Sequence, residues 1–402
     1  MFRLVRGLGA GSILLVLATV LAACGSSPKA VTGAAHGSPI TIGFDNQQLG
    51  AVAFPDFGAG AQAARQYINA HGGINGHPLE FDNCYTDGTT SASVTCANKF
   101  VQAKVPLVLE GIDLGSDAAV PVLTGAGIPL VGHTAFGPLQ SNSPDAFFFG
   151  AATGAYDAVP LVVMARDLHV RSFTYVVGSG PADEAFVTAD LTPVARALGL
   201  HFSVIYYNAS APDYPSIVAA ASSSHPQALF FIGDEPGCTS FVSAVASTGY
   251  RGDVFAGSCS AFVTADASAA EGVFTSTDLY LPGDTQGIPA AKGAQVKLYE
   301  AAMERYAPAY VSDAFAQDTF SATMDVASVL RGIKGRISPT SVLSALRSIR
   351  DLSSFMGQPL DCNGKQWPGE SSACASGLIE YRVEHGRRVA FTHGFVFAKS
   401  LV

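Results

Sequence analysis

Charge is scarce in this chain. Only 14% of its residues are Asp, Glu, Lys or Arg, and the formal net charge is −9. No basic run occurs, and an acidic balance without one argues against a nucleic-acid partner. The sequence lacks Gly-x-Ser-x-Gly, the Walker A loop and His-Glu-x-x-His. Motif-borne hydrolase, nucleotide and metalloprotease chemistry are therefore not indicated. It has no Cys-x-x-Cys and no histidine pair at ligand spacing, so neither a zinc site nor any other metal or cofactor is expected. Beyond the N-terminal segment no stretch reaches ~18 uninterrupted apolar residues, so no membrane span is expected there.

The N-terminus does carry a signal. Arg3 and Arg6 precede an apolar run, Leu8 to Leu21, which leads into Ala22, Ala23 and Cys24. A charged start, an apolar middle and small residues before a cleavage point mark an export segment. Cysteine directly after Leu-Ala-Ala fits the bacterial lipoprotein signal, in which the thiol is lipidated and the chain is cut before it. The plainer alternative is an ordinary signal peptide with an incidental cysteine. The lipoprotein reading makes residues 1–23 the signal peptide and Cys24 the lipidated start of an extracytoplasmic protein. Acyl chains would hold it to the face of the bacterial cell membrane. Residues 24–38, small, polar and Gly/Pro-containing, are expected to form a flexible tether.

Six of the seven cysteines remain after Cys24. In an exported chain they suggest disulfides. Several connectivities are possible. Pairing sequence neighbours gives Cys84–Cys96, Cys238–Cys259 and Cys362–Cys374, each closing a short loop worth ~3 kcal/mol in the chain-entropy model.

From Ile40 onward, short apolar runs alternate with helical stretches. Strands are expected at 40–44, 79–83, 107–110, 130–132, 172–177, 201–207, 228–232, 254–256 and 273–277. Helices are expected between them, at 58–70, 90–102, 118–126, 155–168, 184–198, 214–222, 238–248 and 264–269. This alternation implies right-handed βαβ units and parallel sheets, an α/β fold. Helices at 293–306, 311–333 and 339–349 follow, then strand-like runs at 378–383 and 389–397.

Gly58, Gly60 and Ala63 match the Gly-x-Gly-x-x-Ala of dinucleotide binders, but a long segment separates them from the first strand. Close packing at a helix start is the better reading. His133, at a strand end, weighs little as a catalyst and more as a loop residue that meets ligand or solvent. Ligands of parallel α/β sheets bind outside the carboxyl ends of the strands. Those ends carry Asp45 to Gln47, Gly111 to Ser116, His133 to Phe136, Gly178 to Gly180 and Gly233 to Glu235. Their mixture of glycine, hydroxyl, acid and aromatic groups suits a small polar ligand.

Ile68 to Gly76, INAHGGING, resembles the turn that ends the first helix in type I periplasmic solute-binding proteins, the leucine/isoleucine/valine-binding family. The double glycine suits a helix C-cap followed by a tight turn. Matches follow in order at Asp87 to Phe100, Gly111 to Ser116, Gly125 to Leu130, Gly249 to Gly252 and Glu271 to Val273. The resemblance spans roughly residues 38–400.

It implies two lobes, each a three-layer α/β domain on a parallel sheet, joined by a three-stranded hinge. Lobe 1 would hold 39–152 and 278–352, and lobe 2 would hold 153–277 and 353–402. It implies a monomer that captures a small polar solute, such as an amino acid or amide, for an ABC permease, without enzymatic activity. Ligand-binding positions carry over to Asp113 and Ser116, to Thr134 and Phe136, and to Asp234, with Glu235 beside it. Tyr310 and Phe54 would supply aromatic walls. The second-lobe acid that holds a ligand ammonium in the family falls near Cys259, which is not an acid. Asp234 or Glu235 would have to replace it. The alternatives are an anchored extracytoplasmic hydrolase using Asp113, His133 or Asp234, and a sensor that presents its closed form to a membrane receptor.

Overall fold

The computed structural model describes residues 33–50, 52–180, 184, 187–283 and 288–401. The signal peptide, Cys24 and the first part of the expected tether lie outside them. The last part of that tether is not free chain. Ala35 donates to the Asn69 carbonyl (2.9 Å) and Gly37 to that of Gly76 (2.8 Å), so residues 35–38 belong to the folded domain.

The first half builds β1 (Ile40–Gln47), α1 (Pro55–Ala70), β2 (Leu79–Thr86), α2 (Thr90–Ala103), β3 (Val108–Glu110), α3 (Val120–Gly125), β4 (Leu130–Gly132), α4 (Pro138–Asn142) and β5 (Ala146–Ala151). Then come α5 (Thr153–Arg166), β6 (Ser172–Gly178), a π-helical turn at 187–191, α6 (Thr192–Ala197), β7 (His201–Tyr207), α7 (Tyr214–Ser222), β8 (Ala228–Phe231), α8 (Glu235–Thr248), β9 (Asp253–Phe255), α9 (Phe262–Ala265), α10 (Ala267–Ala270) and β10 (Phe274–Thr277). Helices α11 (Ala290–Tyr306), α12 (Ala314–Gly332) and α13 (Pro339–Arg347) precede β11 (Ala373–Ala375), β12 (Gly377–Glu384), β13 (Arg387–Ala390) and β14 (Val396–Phe397).

Among the described residues these strands form two sheets. One runs β11-β5-β4-β3-β1-β2, and the other runs β13-β12-β10-β9-β8-β6-β7 with β14 beside β12. The first is parallel throughout. The second is parallel from β7 to β10 and ends in an antiparallel ribbon, β12 against β10, β13 and β14. His385 and Gly386 both have positive φ in the turn between β12 and β13, as a tight right-twisted hairpin requires.

The chain passes between sheets three times, near Ala152, Asp278 and Ser376. Backbone and side-chain bonds knit the crossings together: Ala152 donates to the Ala375 carbonyl (3.0 Å), and Ala151 N donates to Asp278 Oδ2 (2.6 Å). The third crossing follows β11, which pairs with β5 of the first sheet. Before it, Trp367 packs in the core of the second sheet, and Glu370 accepts from Thr153 N and Gly154 N.

Local chemistry accounts for the helix ends. Gly72 and Gly73 take φ of 89° and 64° after α1, and a Cβ on Gly73 would lie 2.2 Å from the His77 carbonyl oxygen. Gly60 lets α1 lie close on α12, since a Cβ there would meet the Ala316 carbonyl oxygen at 2.0 Å. The run from Gly58 is therefore a packing device. Disulfides join Cys84–Cys96, Cys238–Cys259 and Cys362–Cys374, all sequence neighbours. No helix among the described residues is long and apolar enough to cross a membrane.

Candidate functional site

The carboxyl ends of the first-sheet strands are held by their own amides and acids. Asn46 Nδ2 donates to the Phe54 carbonyl (2.8 Å), while Asn46 Oδ1 accepts from Ile112 N (3.1 Å). Gln47 ties Val52 to Leu114 in the same way. These side chains hold Val52, Phe54, Ile112 and Leu114 in place and are themselves buried.

Asp113 and Ser116 are each 1% exposed and present no surface to a solute. Ser93 Oγ donates to Asp113 Oδ2 (2.5 Å), and Gly115 N donates to Asp113 Oδ1 (3.1 Å). Gln140 Nε2 donates to Ser116 Oγ and to Glu110 Oε1. Both residues therefore build the loop and are buried within it. Burial, then the charge of Asp113, pushes the Glu110 carboxyl up to about 8.

In the second lobe Asp234 is the N-cap of α8 and accepts from Gly237 N (2.8 Å). Glu235 accepts from Ser260 N, Ser260 Oγ and Ala261 N at 2.8–3.0 Å. Arg388 lies near enough to share its charge with Glu235. Both acids already accept backbone hydrogen bonds, Asp234 through one oxygen and Glu235 through both. Of the acids in the hydrolase alternative, Asp113 is buried against Ser93 and Gly115, and Asp234 serves as a helix cap.

Six of the expected residues keep surface: Asp234 is exposed, Glu235 is half-buried, and the other four lie outside α8. Thr134 is half-buried and Phe136 is 46% exposed, in the loop after β4. Phe54 and Tyr310 are half-buried, and the Phe54 ring stands edge-on to Phe57.

The hinge holds a network that the sequence showed only through His133. His133 Nε2 lies 3.0 Å from Asp278 Oδ2 and 3.4 Å from Asp318 Oδ1. Tyr156 also hydrogen-bonds Asp278. Burial works against charge on the imidazole, but Asp278 and Asp318 overcome it and hold it at about 9. The three donors lie within 4.8 Å of one another, a spacing that could hold a metal ion. With His133 protonated, its own positive charge occupies that role. Asp278 and Asp318 carried no local sequence signal beyond following β10 and lying in α12.

Beside this network lie Asp56, in the first turn of α1, and Asp313, the N-cap of α12, which accepts from Ala316 N (2.9 Å). Phe57 and Phe315 stack between those helices at 4.8 Å, and Phe315 is 36% exposed. Burial, then Asp313, raises the Asp56 carboxyl. Burial also raises Asp313, and Glu235 of the facing lobe adds to it. Burial, resisted by His133 and reinforced by Asp278, Asp313 and Asp56, holds Asp318 at about 7. A crevice of about 570 Å³ lies elsewhere, lined by Ser38, Ile40, Asn75, His77 and Arg336 at the amino ends of the first-sheet strands. It faces away from the strand ends where ligands of such sheets bind.

Residues 39–367 match the family described as periplasmic binding protein. The chain belongs to that family. Its members bind solutes and are not enzymes. The fold resembles the branched-chain amino acid binding protein LivJ from Streptococcus pneumoniae in complex with isoleucine, with a TM-score of 0.69 and 18% identity over 89% of this chain and 99% of that one. The leucine-binding protein LivK from Thermotoga maritima gives 0.68 and 14%, covering 90% and 99%. A solute-binding protein from R. palustris in complex with 4-hydroxybenzoate gives 0.68 and 16%, covering 90% and 98%. No sequence match was found among curated proteins.

Proposed function

We propose that this periplasmic binding protein captures a small polar solute between its lobes and delivers it to an ABC permease. In this reading it is a monomer held to the outer face of the bacterial cell membrane through lipidated Cys24. The observation that carries the reading is the family match over residues 39–367, on a chain that passes three times between two sheets. Thr134, Phe136, Phe54, Tyr310, Asp234 and Glu235 are the expected positions that keep surface for a solute. Lobe 1 is residues 39–152 with 278–375, and lobe 2 is 153–277 with 376–402. Closure is favoured to the extent that the solute binds the closed state better than the open one.

The structural neighbours carry an aliphatic amino acid in one case and an aromatic acid in another. The fold therefore leaves the solute open. Mass spectrometry of solute released from gently purified protein should give one small molecule per chain. Small-angle scattering should show a smaller radius of gyration when that molecule is added back. Many turnovers of a substrate without any permease would overturn the reading.

A further inference from the structure

The expected second-lobe acid is missing. Beside its position Asp234 caps a helix through Oδ1 and is exposed, and Glu235 spends both oxygens on residues 260–261 with Arg388 near it. More negative charge lies on the opposite wall. Asp318 has a side chain 23% exposed, and its recorded partner is His133 at 3.4 Å. That imidazolium is shared with Asp278, which it meets more closely at 3.0 Å. One positive charge thus faces two carboxylates, with Asp313 and Asp56 next to them. A buried or half-buried carboxylate without a counter-charge is costly, and a bound cation relieves it.

A second observation points the same way. The Tyr299 hydroxyl is fully buried, makes no hydrogen bond, and feels the charges of Asp313 and Asp318. It is a buried polar group, within electrostatic reach of both acids, that no protein group satisfies. The Phe315 ring, backed by Phe57, adds an aromatic face of the kind that attracts cations.

We propose that the captured solute is an organic cation, bearing an ammonium or guanidinium group, and that Asp318 of the first lobe holds that group with Asp313 and the Phe315 face. This rests on the solute-binding reading above. It places the charged contact on the wall opposite the one that the family resemblance assigned.

The test is a calorimetric and thermal-shift comparison on the purified mature protein. Arginine, putrescine and choline are the cationic probes. Leucine, urea and benzoate are the zwitterionic, neutral and anionic ones. A cationic probe should bind, and Asp318→Asn should weaken it roughly tenfold or more, the loss expected of a charge-assisted contact. Phe315→Ala should weaken the same probe by less, and it remains informative if Asp318→Asn fails to fold. Binding confined to leucine, urea or benzoate would overturn the cation assignment and leave the solute-binding reading standing. A co-purified solute without positive charge would do the same. If no probe binds and no solute co-purifies, both fall.

Discussion

His133 Nε2 and Asp278 Oδ2 meet at 3.0 Å, and the pair joins the end of β4 to the second crossing between the sheets. The same oxygen also accepts from Ala151 N at the first crossing (2.6 Å). Two of the three crossings are therefore fixed to one aspartate that is 4% exposed. Removing it leaves the Ala151 N–H without its acceptor and the buried imidazolium with the more distant Asp318 alone.

Asp278→Ala should accordingly destabilise the protein by about 3–5 kcal/mol, the range for breaking one side of a buried ion pair. Equilibrium urea unfolding of mature protein checks this. A loss below about 1 kcal/mol would mean that the pair is not a structural clamp.

Stability should fall as pH rises from about 5 to 8. Burial first, then neighbouring charges, holds Glu110 at about 8, and burial does the same to Glu380 and Asp325. Each is neutral in the folded protein below that pH but ionises near its ordinary value when unfolded. The unfolded state therefore binds fewer protons across this window, and folding loses free energy with each step upward. His133, held at about 9, adds to the same slope above its ordinary value of 6.5. Melting temperatures at pH 5.5 and 8.5 should differ, with the higher at pH 5.5. The reverse order would contradict the buried neutral carboxyls.

Much of this fold was legible because apolar runs and helix starts alternate at regular spacing. β4 and β7 have the expected bounds, and α7 spans 214–222 as expected. β5, Ala146–Ala151, was not expected; it is a short apolar run buried on both faces, with no alternation to set it apart. β11 has three residues and no pattern at all; its pairing with β5 is a tertiary effect. The candidate site was less legible for a physical reason. Polar residues at strand ends both shape loops and bind ligands, and sequence does not separate the two uses. Asp113 and Ser116 fell to the first. Asp318, inside a helix far along the chain, meets His133 only through the fold.

Gly60→Ala should destabilise the first lobe by roughly 1–3 kcal/mol, the usual cost of overpacking. The added methyl would lie 2.0 Å from the Ala316 carbonyl oxygen and 2.6 Å from Thr319 Oγ1, so α1 and α12 must separate. Gly125→Ala serves as the control, since nothing lies within 4 Å of a Cβ there. Thermal unfolding should separate the two variants clearly; equal melting temperatures would refute the close approach.

Cys24→Ser should release the protein from the membrane fraction while the domain stays folded. The variant removes the thiol that follows Leu-Ala-Ala, on which lipidation would depend. Fractionation with a salt wash, plus circular dichroism of the released protein, measures both parts. Retention in the membrane after the wash would place the anchor elsewhere.

Affinity for a cationic solute should rise with pH and level off above about 7. Asp318 sits at about 7 in the empty cleft because burial, Asp278, Asp313 and Asp56 oppose its charge more than His133 supports it. A bound ammonium or guanidinium favours the carboxylate, so below that pH binding must expel a proton. The apparent affinity then falls by up to about tenfold per pH unit on the acid side. His133, at about 9, stays protonated through pH 5.5–8 and contributes no slope of its own. Tyr299 stays neutral there as well, since burial and the nearby acids hold its hydroxyl far above the usual tyrosine range. Calorimetry with a cationic probe in buffers of different ionisation enthalpy, at pH 6 and at pH 8, reads the proton directly. About half a proton or more should leave on binding at pH 6 and almost none at pH 8. Binding that is independent of pH and releases no proton at pH 6 would remove Asp318 from the cationic contact.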